Sequence, residues 1–109
     1  MAERTNGLSL PPIAPEVEAF AAEAGVSDYL LPVLEMTRRV YPDARRFEVL
    51  VEEDPEIAND HHIVLEVDVP ERDPDRYVEA LLPWEEGIFA ICPATLNHVF
   101  RLSLGMVEA

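Results

Sequence analysis

RFEVLVEEDPEIANDHHIVLEVDV, residues 46–69, contains two runs of alternating polarity separated by an acidic stretch. In Arg46 to Glu53, Phe47, Val49 and Val51 share one side, and Glu48, Leu50 and Glu52 the other. In His62 to Val69, Ile63, Leu65, Val67 and Val69 face away from His62, Val64, Glu66 and Asp68. A period of two marks a half-buried strand, because successive side chains leave opposite faces of the pleat. The stretch predicts a β-hairpin, and Asp54 to Asp60, too long for a two-residue turn, predicts an exposed acidic loop. Matching inward with inward residues sets Arg46 opposite Asp68, Glu48 opposite Glu66, Leu50 opposite Val64 and Glu52 opposite His62.

Helical periods flank the hairpin. PEVEAFAAEAG has a proline for the first turn, early glutamates, and Val17, Phe20, Ala21 and Ala24 on one side before Gly25, which predicts a short helix over 15–24. Ser27 is placed to cap a second helix from Asp28, with Tyr29, Leu30, Val33, Leu34, Thr37 and Val40 at helical spacing and Tyr41-Pro42-Asp43 as its end. Beyond the hairpin, Asp73 as cap and Pro74 as first helical residue open a helix over 74–90, which Pro83 should kink and Gly87 or Cys92-Pro93 should end. A last strand is expected over Leu96 to Leu104, with His98, Phe100, Leu102 and Leu104 on one side.

The fold class that follows is α+β: N-terminal helices, then a β-β-α-β unit. A right-handed crossover is expected to lay the third strand beside the first, giving an antiparallel three-stranded sheet of order 2-1-3 packed on the helices. Residues 1–14 are expected to form a flexible arm and residues 15–109 a single domain. At 109 residues and 49% hydrophobic content, there is material for one core.

Charge bounds the partners. The net charge is -14, and all eight basic residues are arginine, which removes Schiff-base chemistry and the P-loop lysine. Residues 46–75 hold eleven carboxylates against two arginines, on a segment read as folded. Such a surface repels nucleic acid and suits a basic protein surface. No apolar run is long enough for a bilayer, MAERTNGLSLPP does not read as a signal peptide, and the single cysteine, Cys92, excludes an internal disulfide, so no membrane association and a cytoplasmic location are expected.

Glu48 against Glu66 is unfavourable unless something neutralises it. Arg101 on the third strand is the expected internal neutraliser, with solvent, a partner's arginine or a cation as the other choices. Surface charge that confers solubility alone is the plain alternative.

Other groups carry weaker chemistry. His61 and His62 lie near Asp60, Glu66 and Asp68, but neighbours on a strand point apart, and no familiar metal-ligand spacing is present, so no metal or cofactor is expected. Cys92 and His98 outline a thiol and a base without an orienting third group, and read more simply as a packed cysteine and an enclosed histidine. Trp84 falls off the main apolar side of its helix and, with Leu50, Val64 and Val99, reads as exposed apolar surface. Either the 15–24 helix covers that surface or it serves a back-to-back homodimer.

Tyr41-Pro42-Asp43, then a strand, then Asp54-Pro55-Glu56-Ile57 with Asn59-Asp60 and a second apolar strand, resembles a group of small uncharacterised bacterial proteins of cyanobacterial and planctomycete type. The resemblance implies a bacterial cytoplasmic origin and no particular activity. The function expected is a non-enzymatic interaction module, antitoxin-like or adaptor, meeting a basic partner through Glu48, Glu52, Glu53, Asp54, Glu56, Asp60, Glu66 and Asp68. The alternative is a small enzyme or metal-binding protein using His61 and His62, or Cys92 with His98.

Overall fold

The computed structural model describes residues 10–53, 61–71 and 74–108. Among them, the chain runs α1 (Pro15–Ala24), α2 (Ser27–Val40), β1 (Arg46–Glu53), β2 (His61–Pro70), α3 (Pro74–Glu79), α4 (Leu81–Ile91) and β3 (Phe100–Val107), with a 3-10 turn, Asn97–Val99, before the last strand. The class is α+β, as expected.

α1 begins with Pro15 in its first turn, where a missing N–H breaks no bond, and ends at Gly25, whose φ of 78° only glycine adopts without strain. This bend lets Val26 N–H donate to the Ala21 carbonyl at 2.8 Å and Gly25 N–H to that of Ala22 at 3.2 Å. The turn is so tight that α2 starts at once. Ser27 is its first residue and not its cap, and Val26 takes the capping position without a side-chain bond. Pro32 lies inside α2 without ending it.

The helix expected over 74–90 is two helices. Pro83 has no N–H to offer the Glu79 carbonyl, and its ring crowds that oxygen, so α3 stops there. Pro83 then sits in the first turn of α4, where N–H groups have no helical partner in any case. Asp73, the expected cap, lies outside the described residues. Cys92 ends α4, whereas Gly87 lies within it. A Cβ on Gly87 would fall 2.7 Å from Met36 Cγ and Sδ, so the missing side chain lets α4 settle against α2.

β1 and β2 pair antiparallel in the expected register, Arg46 with Asp68 through Glu52 with His62. The third strand departs from expectation. The sheet order is β1-β2-β3, and β3 runs parallel to β2, with Ile63 beside Phe100 and Val67 beside Leu104. The expected order 2-1-3 and the all-antiparallel sheet are therefore wrong. Strands in parallel pairing usually need cover on both faces. β2 meets that demand, with Ile63, Leu65, Val67 and Val69 buried on one face and His62 and Val64 on the other. β1 shows Arg46, Glu48 and Glu52 to solvent, as a charged edge strand does.

The core lies between one face of this sheet and the helices, with Val33, Leu34, Ile63, Leu65, Val67 and Val69 each at most 1% exposed. Leu10, Ile13 and Ala14 pack against it, so the chain is seated from Leu10 onward. Trp84, expected at the surface, is buried, and its indole N–H donates to Thr37 Oγ1 at 2.8 Å. Val99 is buried as well. Tyr41 and Asp43 pin α3 from the α2–β1 turn. Tyr41 O–H donates to the Tyr77 carbonyl at 3.1 Å, and Asp43 pairs with Arg76 at 3.1 Å.

Candidate functional site

The outer face of the sheet is a charged surface over a small apolar floor. Along β1 it presents Arg46, Glu48, Leu50 and Glu52, and along β2 His62, Val64, Glu66 and Asp68. Val64 is 4% exposed yet takes no part in the core between sheet and helices, and neither does Leu50. The expected exposure of Val64 is therefore wrong.

Arg46 organises this face. Its guanidinium reaches Asp68 Oδ2 through Nε at 2.9 Å, Glu48 Oε1 through Nη1 at 2.9 Å and Glu66 Oε1 through Nη2 at 3.3 Å. The hydrogen bond to Asp68, followed by the charges of Asp68 and Glu48, holds the Arg46 proton more firmly than usual. The geometry follows from the pairing register. Arg46 is directly opposite Asp68, two residues along its own strand from Glu48, and diagonal to Glu66.

The neutraliser of the Glu48–Glu66 pair is therefore internal, but it is Arg46 and not Arg101. Arg101 lies opposite Val64, while Glu66 lies opposite Ser103. Arg46 was in plain view, since the expected register already set it against Asp68. A guanidinium with several donors in one plane can serve more than one acceptor.

The other expected members divide. His61 Nε2–H donates to Glu53 Oε2 at 2.8 Å, so Glu53 is spoken for. Glu52 is exposed opposite His62. Asp54, Glu56 and Asp60 lie outside the described residues. An open groove of about 560 Å³ runs beside this face, between Leu10, Pro11 and Pro12 and the edge of β1 from Arg45 to Leu50.

His61 and His62 point apart, as alternation requires. The His61 ring lies 5.8 Å from that of Phe20 in α1, and His62 is buried on the opposite face. Among the described residues, no group of three or more His, Cys, Asp and Glu side chains is arranged to hold a metal ion. Cys92 is buried, which pushes its thiol above the usual value, the opposite of what a nucleophile needs. His98, expected to be enclosed, is exposed in the 3-10 turn before β3. The strand begins too late to carry it inward.

The described residues contain no helix long and apolar enough to cross a membrane. Comparison with family models, curated proteins and solved structures returns no match.

Proposed function

We propose that this protein acts by contact, as a non-enzymatic adaptor or antitoxin-like module of the bacterial cytoplasm whose outer sheet face engages a basic protein surface. The observation that carries this reading is the Arg46 cluster. One guanidinium against three carboxylates leaves two negative charges, gathered on the paired strands β1 and β2. Arg46 positions the carboxylates more than it cancels them. A partner's arginines meet acceptors already in place, so less side-chain entropy is lost on binding.

Glu52 extends the negative surface, and the half-buried Leu50 supplies apolar area for the stem of an incoming arginine. The internal pairs are exposed and exchange readily with a competing cation. Charges at such a surface govern association rate and specificity and respond strongly to salt.

The test is calorimetric titration of the protein with an oligoarginine peptide at low and at high salt, alongside a variant carrying Glu48→Gln, Glu52→Gln and Glu66→Gln. The reading expects binding that weakens steeply with salt and falls at least about tenfold in the variant, equivalent to about 1.4 kcal/mol. Equal binding by both proteins would refute it.

A further inference from the structure

We propose that two copies of this chain pair edge to edge through β3, antiparallel about a two-fold axis at Ser103, to make one sheet continuous across both. This inference does not rest on the basic-partner reading; the proposed seam is the β3 edge, and it shares only Asp68 with the acidic face.

The two edges of the sheet are built differently. The β1 edge carries Arg46, Glu48, Glu52 and Glu53, and Leu10 to Pro12 lie along it. Such charges and prolines are how edge strands avoid pairing with another chain. β3, FRLSLGMV, has one charge, no proline and eight residues of regular strand. No carboxylate occurs between Glu86 and Glu108, although the chain has a net charge of -14. Like-charge repulsion between two copies is least on this flank.

The backbone of β3 is set for the pairing. The Val107 carbonyl accepts from Glu71 N–H at 2.7 Å, so Val107 directs its polar groups toward the β2 side. By alternation, Arg101, Ser103 and Gly105 do the same, and Phe100, Leu102, Leu104 and Met106 turn their N–H and C=O groups to the edge on which no strand pairs among the described residues. An axis at Ser103 sets Leu102 opposite Leu104 of the second copy and Phe100 opposite Met106. These are the outward-directed groups, and each such pair exchanges two hydrogen bonds.

Side chains on both faces agree with that axis. α1 lies against β1 and α2, and α2 lies against α4, so α4 is the helix on the β3 side. It exposes Leu82 at 62% and Phe89 at 65%, two turns apart on one side, and Met106 of β3 is also exposed. A two-fold axis brings this apolar strip against its own copy.

On the outer face, Arg101 is exposed and makes no ion pair among the described residues. The same axis puts it opposite Gly105 of the second copy. A Cβ on Gly105 would collide with Asp68 Oδ1, so that carboxylate oxygen overhangs the glycine, while Oδ2 is held by Arg46. Arg101 of each copy therefore meets Asp68 of the other.

Sedimentation equilibrium of the full chain over a range of concentrations, with Ser103→Cys, Ser27→Cys and Phe89→Glu variants, tests the pairing. Facing non-hydrogen-bonded residues of antiparallel strands have Cα atoms about 4.5 Å apart, within disulfide reach. The proposal expects a dimer, rapid self-crosslinking of Ser103→Cys under mild oxidation but not of the exposed Ser27→Cys, and a dimer dissociation constant at least about tenfold higher for Phe89→Glu. A monomer throughout, crosslinking of Ser103→Cys no faster than that of Ser27→Cys, or an unchanged dimer in Phe89→Glu would each overturn it. The triple glutamine variant of the acidic face should dimerise like the wild type, and its failure to do so would also overturn the proposed edge.

Discussion

Arg46 is the residue on which the acidic face turns, and its partners were written in the register before they were visible in space. The closeness of Arg46 to Asp68, Glu48 and Glu66 follows once the two runs of alternation are paired inward to inward. What the sequence could not supply was the position of β3, and with it the choice between Arg46 and Arg101. Replacing Arg46 by alanine leaves Glu48 facing Glu66 without compensation. The urea midpoint should fall, more at low salt than at high salt, and adding Glu66→Gln should recover part of the loss. An equal fall at both salts would assign the effect to the arginine stem instead. Tyr41 offers a second test. Burial raises its hydroxyl from 10.0 to about 12, and the hydroxyl donates to the Tyr77 carbonyl. A phenol with a raised folded pKa keeps its proton while the unfolded chain loses it, so its contribution is complete below pH 10 and is lost as pH rises toward 12. The shift corresponds to roughly 2–3 kcal/mol. Cys92 is shifted in the same direction by burial and adds to the alkaline loss. The chain has no lysine, so lysine does not contribute in this range, and comparison with Tyr41→Phe separates Tyr41 from the rest. Urea midpoints measured across it should fall for the wild type and fall less for Tyr41→Phe.

α2 and α4 meet through two contacts that periodicity alone did not reveal. Thr37 Oγ1 donates to the Val33 carbonyl at 2.8 Å and accepts the Trp84 indole N–H at 2.8 Å. Thr37→Val keeps the shape and strands the buried N–H, so it should cost about 1–3 kcal/mol with an unchanged denaturant slope. Gly87→Ala gains helix propensity, worth up to ~1 kcal/mol, but forces a methyl into Met36, and overpacking of this kind costs about 1–3 kcal/mol. A net loss of stability is expected, relieved when Met36→Ala is added, and a stabilised single variant would show that the two helices are free to separate. Trp84 was misread because a helix taken as continuous from 74 to 90 has its phase set by Tyr77 and Val78. The break at Ala80 resets that phase, and Trp84 then points inward from a new helix. Pro83 carried the signal. It was read as a kink in a helix, and it acts as an early residue of the next one.

Fold class, the hairpin, its register and the inward set Phe47, Val49, Ile63, Leu65 and Val67 were legible, because a period of two leaves little choice of face. Strand order was not, because handedness restricts a crossover without saying how many strands it passes. The deciding information was burial on both faces of β2. Ile63, Val64 and Leu65 in succession hint at it, but β1 has a similar run at Val49, Leu50 and Val51. Charge separates them, since β1 bears four charged residues and β2 two acids. With β2 at the centre, the described residues give the sheet one charged edge and one edge without a paired strand, and a charged outer face turned away from the helices. The central claim is that this outer face, with Arg46 holding its carboxylates in position, is the surface that meets a basic partner. The most direct measurement is the map of amide chemical-shift changes as an oligoarginine peptide is titrated into isotopically labelled protein. The account predicts changes concentrated at residues 46–52 and 62–68, fading at high salt, with β3 from Leu102 to Met106 little affected. Changes centred on the helices or on β3, or none at these two stretches, would contradict it.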